Sequence, residues 1–123
     1  MEYYLDSYAI IELAKGNPNY RPYREARGRT STWNLLEAYY VFLQEGREDL
    51  AELCFGNHRQ NAVEFSDGVL KGAARLRLER KGATGRRLSY VDALGYTYAL
   101  EHGMRFLTGA VEFQGWLGVE WVR

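Results

Sequence analysis

Asp6, Glu37 and Asp92 are acids at positions where a purely structural plan favours apolar or neutral side chains. Asp6 ends the apolar run Tyr3-Tyr4-Leu5, Glu37 interrupts the apolar stripe of a predicted helix, and Asp92 falls in the first turn of another. Widely spaced carboxylates that converge in one cleft make a site of hard oxygen ligands. With no His or Cys in the set, Mg²⁺ or Mn²⁺ is selected over zinc. Such ions keep waters, bind substrate phosphate, polarise a phosphoryl oxygen and activate an attacking water. The Ser7 and Thr108 hydroxyls offer a means of orienting a carboxylate or a water.

Each acid taken alone also has a structural explanation. Asp6 can N-cap the helix that begins at Ser7. Ser89-Tyr90-Val91-Asp92 fits a capping box. Glu37 lies four residues after Trp33 and three before Tyr40, on their face of the helix, where a buried carboxylate requires a partner, either a metal or a structural Arg. The metal reading rests on the three together.

The elements that must position them alternate. Glu2 to Leu5 reads as a strand and Ser7 to Lys15 as a helix ended by Gly16-Asn17-Pro18. Asn19 to Arg29 is a basic, irregular or loosely helical segment. Thr30-Ser31-Thr32 caps a helix from Trp33 to about Gln44, and Arg47 to Phe55 is a further helix closed by Gly56-Asn57. Ala62 to Phe65 is a second strand, followed by a helix from Ser66 or Asp67 to about Lys81 and a loop at Gly82-Ala83-Thr84-Gly85. Ser89 starts a helix to about His102, Arg105 to Thr108 is a third strand, and Gly118 to Val122 is a candidate fourth. Strands separated by helices imply crossovers and a mainly parallel sheet, with the long helical stretch after the first strand forming a lobe beside it. In open parallel sheets, sites form at the carboxyl ends of strands. Asp6 and Thr108 therefore share an edge if the first and third predicted strands are neighbours.

A chain of 123 residues fits one domain, residues 1–123, large enough for a core without disulfides. Cys54 is the only cysteine, and with His58 and His102 it is too sparse for a zinc site. The acidic N-terminus does not read as a signal peptide, and no apolar run approaches the roughly 20 residues of a membrane span. A reducing, cytoplasmic setting is expected. Net charge is zero but uneven: residues 15–29 carry five bases against Glu25, and residues 71–87 carry seven against Glu79. Either these are solvated faces, or they are basic flanks that bring a polyanion to a metal. Of sixteen bases only three are Lys, leaving thirteen Arg, the better phosphate fork. Tyr20 and Tyr23, beside Arg21 and Arg24, either stack on single-stranded bases or pack in the core.

The pieces Tyr4-Leu5-Asp6-Ser7-Tyr8-Ala9, Asn34-Leu35-Leu36-Glu37, Leu88-Ser89-Tyr90-Val91-Asp92-Ala93 and Phe106-Leu107-Thr108-Gly109, in that order and spacing, resemble the PIN-domain nucleases, above all the VapC-like toxins. The resemblance covers nearly the whole chain. It implies a PIN-like three-layer α/β/α domain with a short, mainly parallel sheet. It also implies a Mg²⁺- or Mn²⁺-dependent endoribonuclease that acts as the toxin of a toxin–antitoxin pair, forms a homodimer and is silenced by a cognate antitoxin. Asp6, Glu37 and Asp92 match the family's first three acids, and Arg21 and Arg24 are candidates for the RNA backbone.

The sequence departs from that pattern at Ala110, where the family usually places Asp after Thr-Gly or Thr-Asn. Glu112, two residues on, either supplies a compensating carboxylate or points to solvent. Three carboxylates still suffice for one Mg²⁺ with waters. The expectation is an active enzyme that is weakened or works with one metal. Two alternatives stand beside it: a PIN-like module that binds RNA or protein without cutting, and a different phosphate-handling α/β domain in which Asp6 only caps a helix.

Overall fold

Five parallel strands form one sheet in the order β3-β2-β1-β4-β5. The computed structural model describes residues 1–26, 28–84 and 88–123. The strands are β1 (Tyr3–Leu5), β2 (Gly28–Ser31), β3 (Ala62–Val63), β4 (Arg105–Thr108) and β5 (Val119–Trp121). The helices are α1 (Ser7–Lys15), α2 (Thr32–Gln44), α3 (Glu48–His58), α4 (Asp67–Thr84) and α5 (Tyr90–Glu101). The expected α/β class and parallel sheet are what the chain adopts.

Side chains alternate across the central strands and divide the core in two. Leu5 and Leu107 face α1, α2 and α3, with Ile10, Leu35, Phe42 and Cys54. Tyr4 and Phe106 face the other way, onto α5 and Phe113. This is the period-2 alternation of a sheet covered on both faces. Gly95 of α5 allows the close approach: a Cβ there would lie 2.6 Å from the Tyr4 ring. Cys54 is buried, and its thiol donates to the Ile10 carbonyl at 3.8 Å, a packing role.

Four sequence expectations need correction. Gly28–Ser31 is a strand pairing β1 with β3, while the loosely helical alternative for the segment before it holds as a 3₁₀ helix over Pro18–Tyr23. Thr30 and Ser31 are buried there, but Gly and polar residues hide the strand from any apolar pattern. The long helical lobe is therefore split by β2, and its helices form one layer of the sandwich. Helix α3 runs through Gly56 and Asn57 to His58. Helix α4 extends to Thr84, into the expected loop; Gly85 lies outside the described residues, as do the bases Arg27, Arg86 and Arg87.

Tyr20 and Tyr23 serve packing rather than open stacking. Tyr20 is fully buried and donates to the Val122 carbonyl at 2.6 Å, and Tyr23 donates to Glu120 at 2.7 Å. No helix among the described residues is long and apolar enough to cross a membrane.

Candidate metal centre

Strand β1 has β2 on one side and β4 on the other, so the chain leaves it in opposite directions around the sheet. The carboxyl ends of β1 and β4 thus form a switch-point crevice, the place where open α/β sheets bind ligands. Leu5 is in register with Leu107, and the Asp6 amide donates to the Leu107 carbonyl at 3.3 Å. Asp6 and Thr108 meet at this edge as expected.

Asp6 does two jobs. Its Oδ1 accepts from the Ala9 amide at 2.9 Å, which N-caps α1. Its Oδ2 accepts from the Thr108 hydroxyl. The Thr108 Oγ1 also accepts from the Ala110 amide at 3.0 Å, so one hydroxyl ties the acid to the turn after β4. Gly109 makes that turn possible, since a Cβ would lie 2.3 Å from both the Tyr8 ring and the Val122 carbonyl.

A simple cap is solvated, whereas Asp6 is 2% exposed. Burial pushes its carboxyl up to about 7, the bonds from Thr108 and Ala9 oppose that shift, and the charges of Asp92 and Glu37 add to it. Asp92 is half-buried in the first turn of α5, where the Ser89 hydroxyl accepts from its amide at 3.0 Å. Burial raises its carboxyl to about 6, the Ser89 bond acts downward, and Glu37 and Glu112 contribute upward. The four acids therefore share one field. Among the described residues none of them is in an ion pair; the four salt bridges lie elsewhere.

Glu37 corrects the apolar-stripe expectation. The buried face of α2 is Asn34, Leu35, Ala38 and Phe42, while Trp33 and Tyr40 are exposed. Glu37 sits at the half-buried margin, and among the described residues no Arg pairs with it. The Ser7 hydroxyl donates to its Oε1 at 2.5 Å. Ser7 in turn accepts from Asn34 Nδ2 at 3.0 Å. Asn34 Oδ1 accepts from Tyr4 at 2.6 Å and from Ser31 at 2.7 Å. This network runs from the core to the cleft and fixes Glu37 through Ser7. The sequence reading quoted Asn34 but gave it no site role. Its signal is an amide on the i, i+4, i+8 row with Ala38 and Phe42, a buried row that demands partners.

Glu112 is exposed on the 3₁₀ turn Val111–Phe113, within electrostatic reach of Asp92. Ala110 packs against the α5-side core, and its carbonyl accepts from Trp121 Nε1 at 2.9 Å. Arg21 and Arg24 are exposed and are not drawn in with the acids; Arg24 lines a cavity with Cys54, Asn57 and His58 on the α3 side.

Among the described residues no three acidic, His or Cys side chains close on a single point as a ready-made cage. An open set of oxygen ligands still fits Mg²⁺ or Mn²⁺, which bind through one or two carboxylates and retain water. The buried Asp6, in no ion pair among the described residues, supplies the demand for a cation.

The PIN domain family profile matches residues 3–113. No curated protein matches the chain in sequence. Among solved structures, the chain is similar to a toxin–antitoxin complex from Klebsiella pneumoniae, at 20% identity and TM-score 0.72, covering 96% of this chain and 95% of that one. It is similar over the full length of both chains to VapBC2 from Rickettsia felis bound to a DNA fragment from their promoter, at 16% identity and TM-score 0.74. A third similarity is to the sarcin–ricin-loop-cleaving toxin VapC20 of Mycobacterium tuberculosis, at 15% identity and TM-score 0.70, covering 95% and 98% of the two chains.

Proposed function

The chain belongs to the PIN domain family, and from that membership we propose that it is a Mg²⁺- or Mn²⁺-dependent endoribonuclease serving as the toxin of a toxin–antitoxin pair. The observation that carries this reading is Asp6: buried at the switch point, bonded to Thr108, within the electrostatic reach of Asp92 and Glu37, and in no ion pair among the described residues. Asp6 and Asp92 would hold the metal, with Glu37 reaching it directly or through a water, and Glu112 at the rim assisting a second ion or a water. The bound ion supplies charge neutralisation of the phosphoryl oxygens and a water of lowered pKa. Thr108 keeps Asp6 facing the cleft, and Ser7 keeps Glu37 turned toward it. Water attacks phosphorus, a ribose oxygen departs, and the P–O bond of the RNA strand breaks.

The proposed partners are RNA, a cognate antitoxin and a second copy of the chain. The exposed apolar side chains of α2 (Trp33, Leu36, Tyr40 and Leu43) support protein partnership. Purified protein with Mn²⁺ should cut RNA, and Asp6→Asn should remove that cutting. Equal background cleavage by both proteins would defeat the reading.

Ala110 supports a second reading, a module that binds without cutting. The methyl group stands where the resemblance places an acid, partly buried and packed against the α5-side core. Under this reading wild type binds RNA, does not cut it, and gains activity on Ala110→Asp. Robust wild-type cleavage, unchanged by that substitution, would exclude it.

A further inference from the structure

We propose that Tyr90, Arg77 and Lys81 form a subsite for an unpaired nucleotide flanking the cleaved bond, with its base on the Tyr90 ring and its phosphate at Lys81. The inference rests on the ribonuclease reading. Tyr90 opens α5 two residues before Asp92 and is 62% exposed. The Arg77 guanidinium lies 3.9 Å from the centroid of the Tyr90 ring. Arg77 is itself fixed, because its Nε donates to the Leu88 carbonyl at 2.7 Å. The two side chains and Lys81, Ala74 and Leu78 line a cavity of about 350 Å³.

A stack that only fastens α4 to α5 would account for the Arg77–Tyr90 pair. It would not account for the wall left beside it. Leu78 is 73% exposed, and the five lining residues carry two cations and no acid. An aromatic face with an apolar floor and cationic edges is the composition that single-stranded nucleic acid selects, because every base has a π-face and every link a charge. It lies on the flank of the helix whose first turn carries Asp92, one of four carboxylates that repel a polyanion, so it supplies the compensating attraction. The first turn of α5 adds its positive helix end.

Position decides which nucleotide is held. Residues two apart on a helix are about 200° apart around its axis, and a helix is about 10 Å across. Tyr90 therefore faces away from the cleft that Asp92 lines, on the flank of α5. A strand with its scissile phosphate at Asp92 would cross the helix end and place a neighbouring base on the ring. Such a base must be unpaired, since the face of a stacked, paired base is covered.

Binding separates this subsite from the chemistry. The parent is full-length Asp6→Asn, and the probe is a short, unpaired, fluorescein-labelled RNA followed by anisotropy. Tyr90→Ala and Tyr90→Leu should each weaken binding about tenfold or more, and Tyr90→Phe should leave it unchanged. Tyr90→Leu keeps bulk and fold while removing the π-face. An abasic link at one flanking position should cost a similar factor, and Tyr90→Ala should add nothing on that oligomer. Lys81→Ala should lower the salt slope by about one. Tyr90 variants that bind like the parent, or that lose equally on every abasic oligomer, would overturn the subsite and leave the ribonuclease reading standing. If the parent binds no RNA and wild type cuts none, both fall.

Discussion

Thr108 donates its hydroxyl to Asp6 across 102 positions of sequence, joining the ends of two neighbouring parallel strands. The same oxygen receives the Ala110 amide. The acid and the turn that departs from the family pattern are thus set by one side chain. Thr108→Val keeps the shape and removes the hydroxyl. It should reduce Mn²⁺ affinity and RNA cleavage by roughly 10–100-fold, the range for lost outer partners of metal ligands. Calorimetric titration and single-turnover cleavage check this; unchanged affinity would remove Thr108 from the site.

The raised carboxyls set a pH dependence. Asp6 goes from 3.8 to about 7 and Asp92 from 3.8 to about 6, both first through burial. Between the unfolded and folded values the native chain binds more protons than the unfolded one. Metal-free stability should therefore be highest near or below the unfolded value. It should fall as pH rises through this window, by on the order of a few kcal/mol, and level off above about pH 7. Asp6→Asn should flatten the fall and raise Tm at about pH 8. Metal must displace the protons, so Mn²⁺ affinity should climb from about pH 5 to about pH 8. Thermal scans with and without metal read both trends. A metal-free protein that gains stability across the window would contradict the assignment.

Ser7→Ala removes the donor to Glu37 and an acceptor for Asn34. Because Glu37 is half-buried, its loss of orientation should cost cleavage more than folding. Asn34→Ala strikes the buried end, stranding the Tyr4 and Ser31 hydroxyls. It should destabilise the fold by about 1–3 kcal/mol. Denaturant midpoints and cleavage rates measured on both variants should rank them in opposite orders.

Ala110→Asp adds a carboxylate where Ala110 now packs on the α5-side core. Metal-free, the extra charge should lower Tm. With Mn²⁺, affinity and cleavage should rise, as read by calorimetric titration and single-turnover cleavage; no gain in either would mean that residue 110 does not reach the metal. Gly109→Ala should fail differently. The Cβ has no room against Tyr8 and the Val122 carbonyl, so stability should fall by about 1–3 kcal/mol or more at any metal concentration. A Tm unchanged by Gly109→Ala would mean the turn is looser than described.

Local patterns announced much of this molecule. The helix of Ser7–Lys15 has the stated bounds because its caps, Asp6 and Gly16, are written beside it. Ser89 and Asp92 likewise give half of the expected capping arrangement, through the Ser89 hydroxyl and the Asp92 amide. Strand β2 was illegible because its place comes from pairing on both sides and not from its own side chains. The face of α2 was misread because the exposed Trp33 and Tyr40 look like a buried stripe; which face is covered is decided by α3, α1 and β2. Asn34 announces that it is buried by its row with Ala38 and Phe42, but its partners lie on three other elements, β1, α1 and β2, and have no local signature.

The turn at residues 108–110 is held from beyond the segment that the family profile matches, residues 3–113. Val122 donates its amide to Thr108, Trp121 donates to Ala110, and Arg123 Nε donates to the Gly109 carbonyl at 3.0 Å. A fragment cut at the end of the profile match would keep every acid and lose the scaffold behind them. The last ten residues, which carry none of the site's acids, thus set the shape of the turn that follows Thr108, so the site's geometry is written partly where no acid stands.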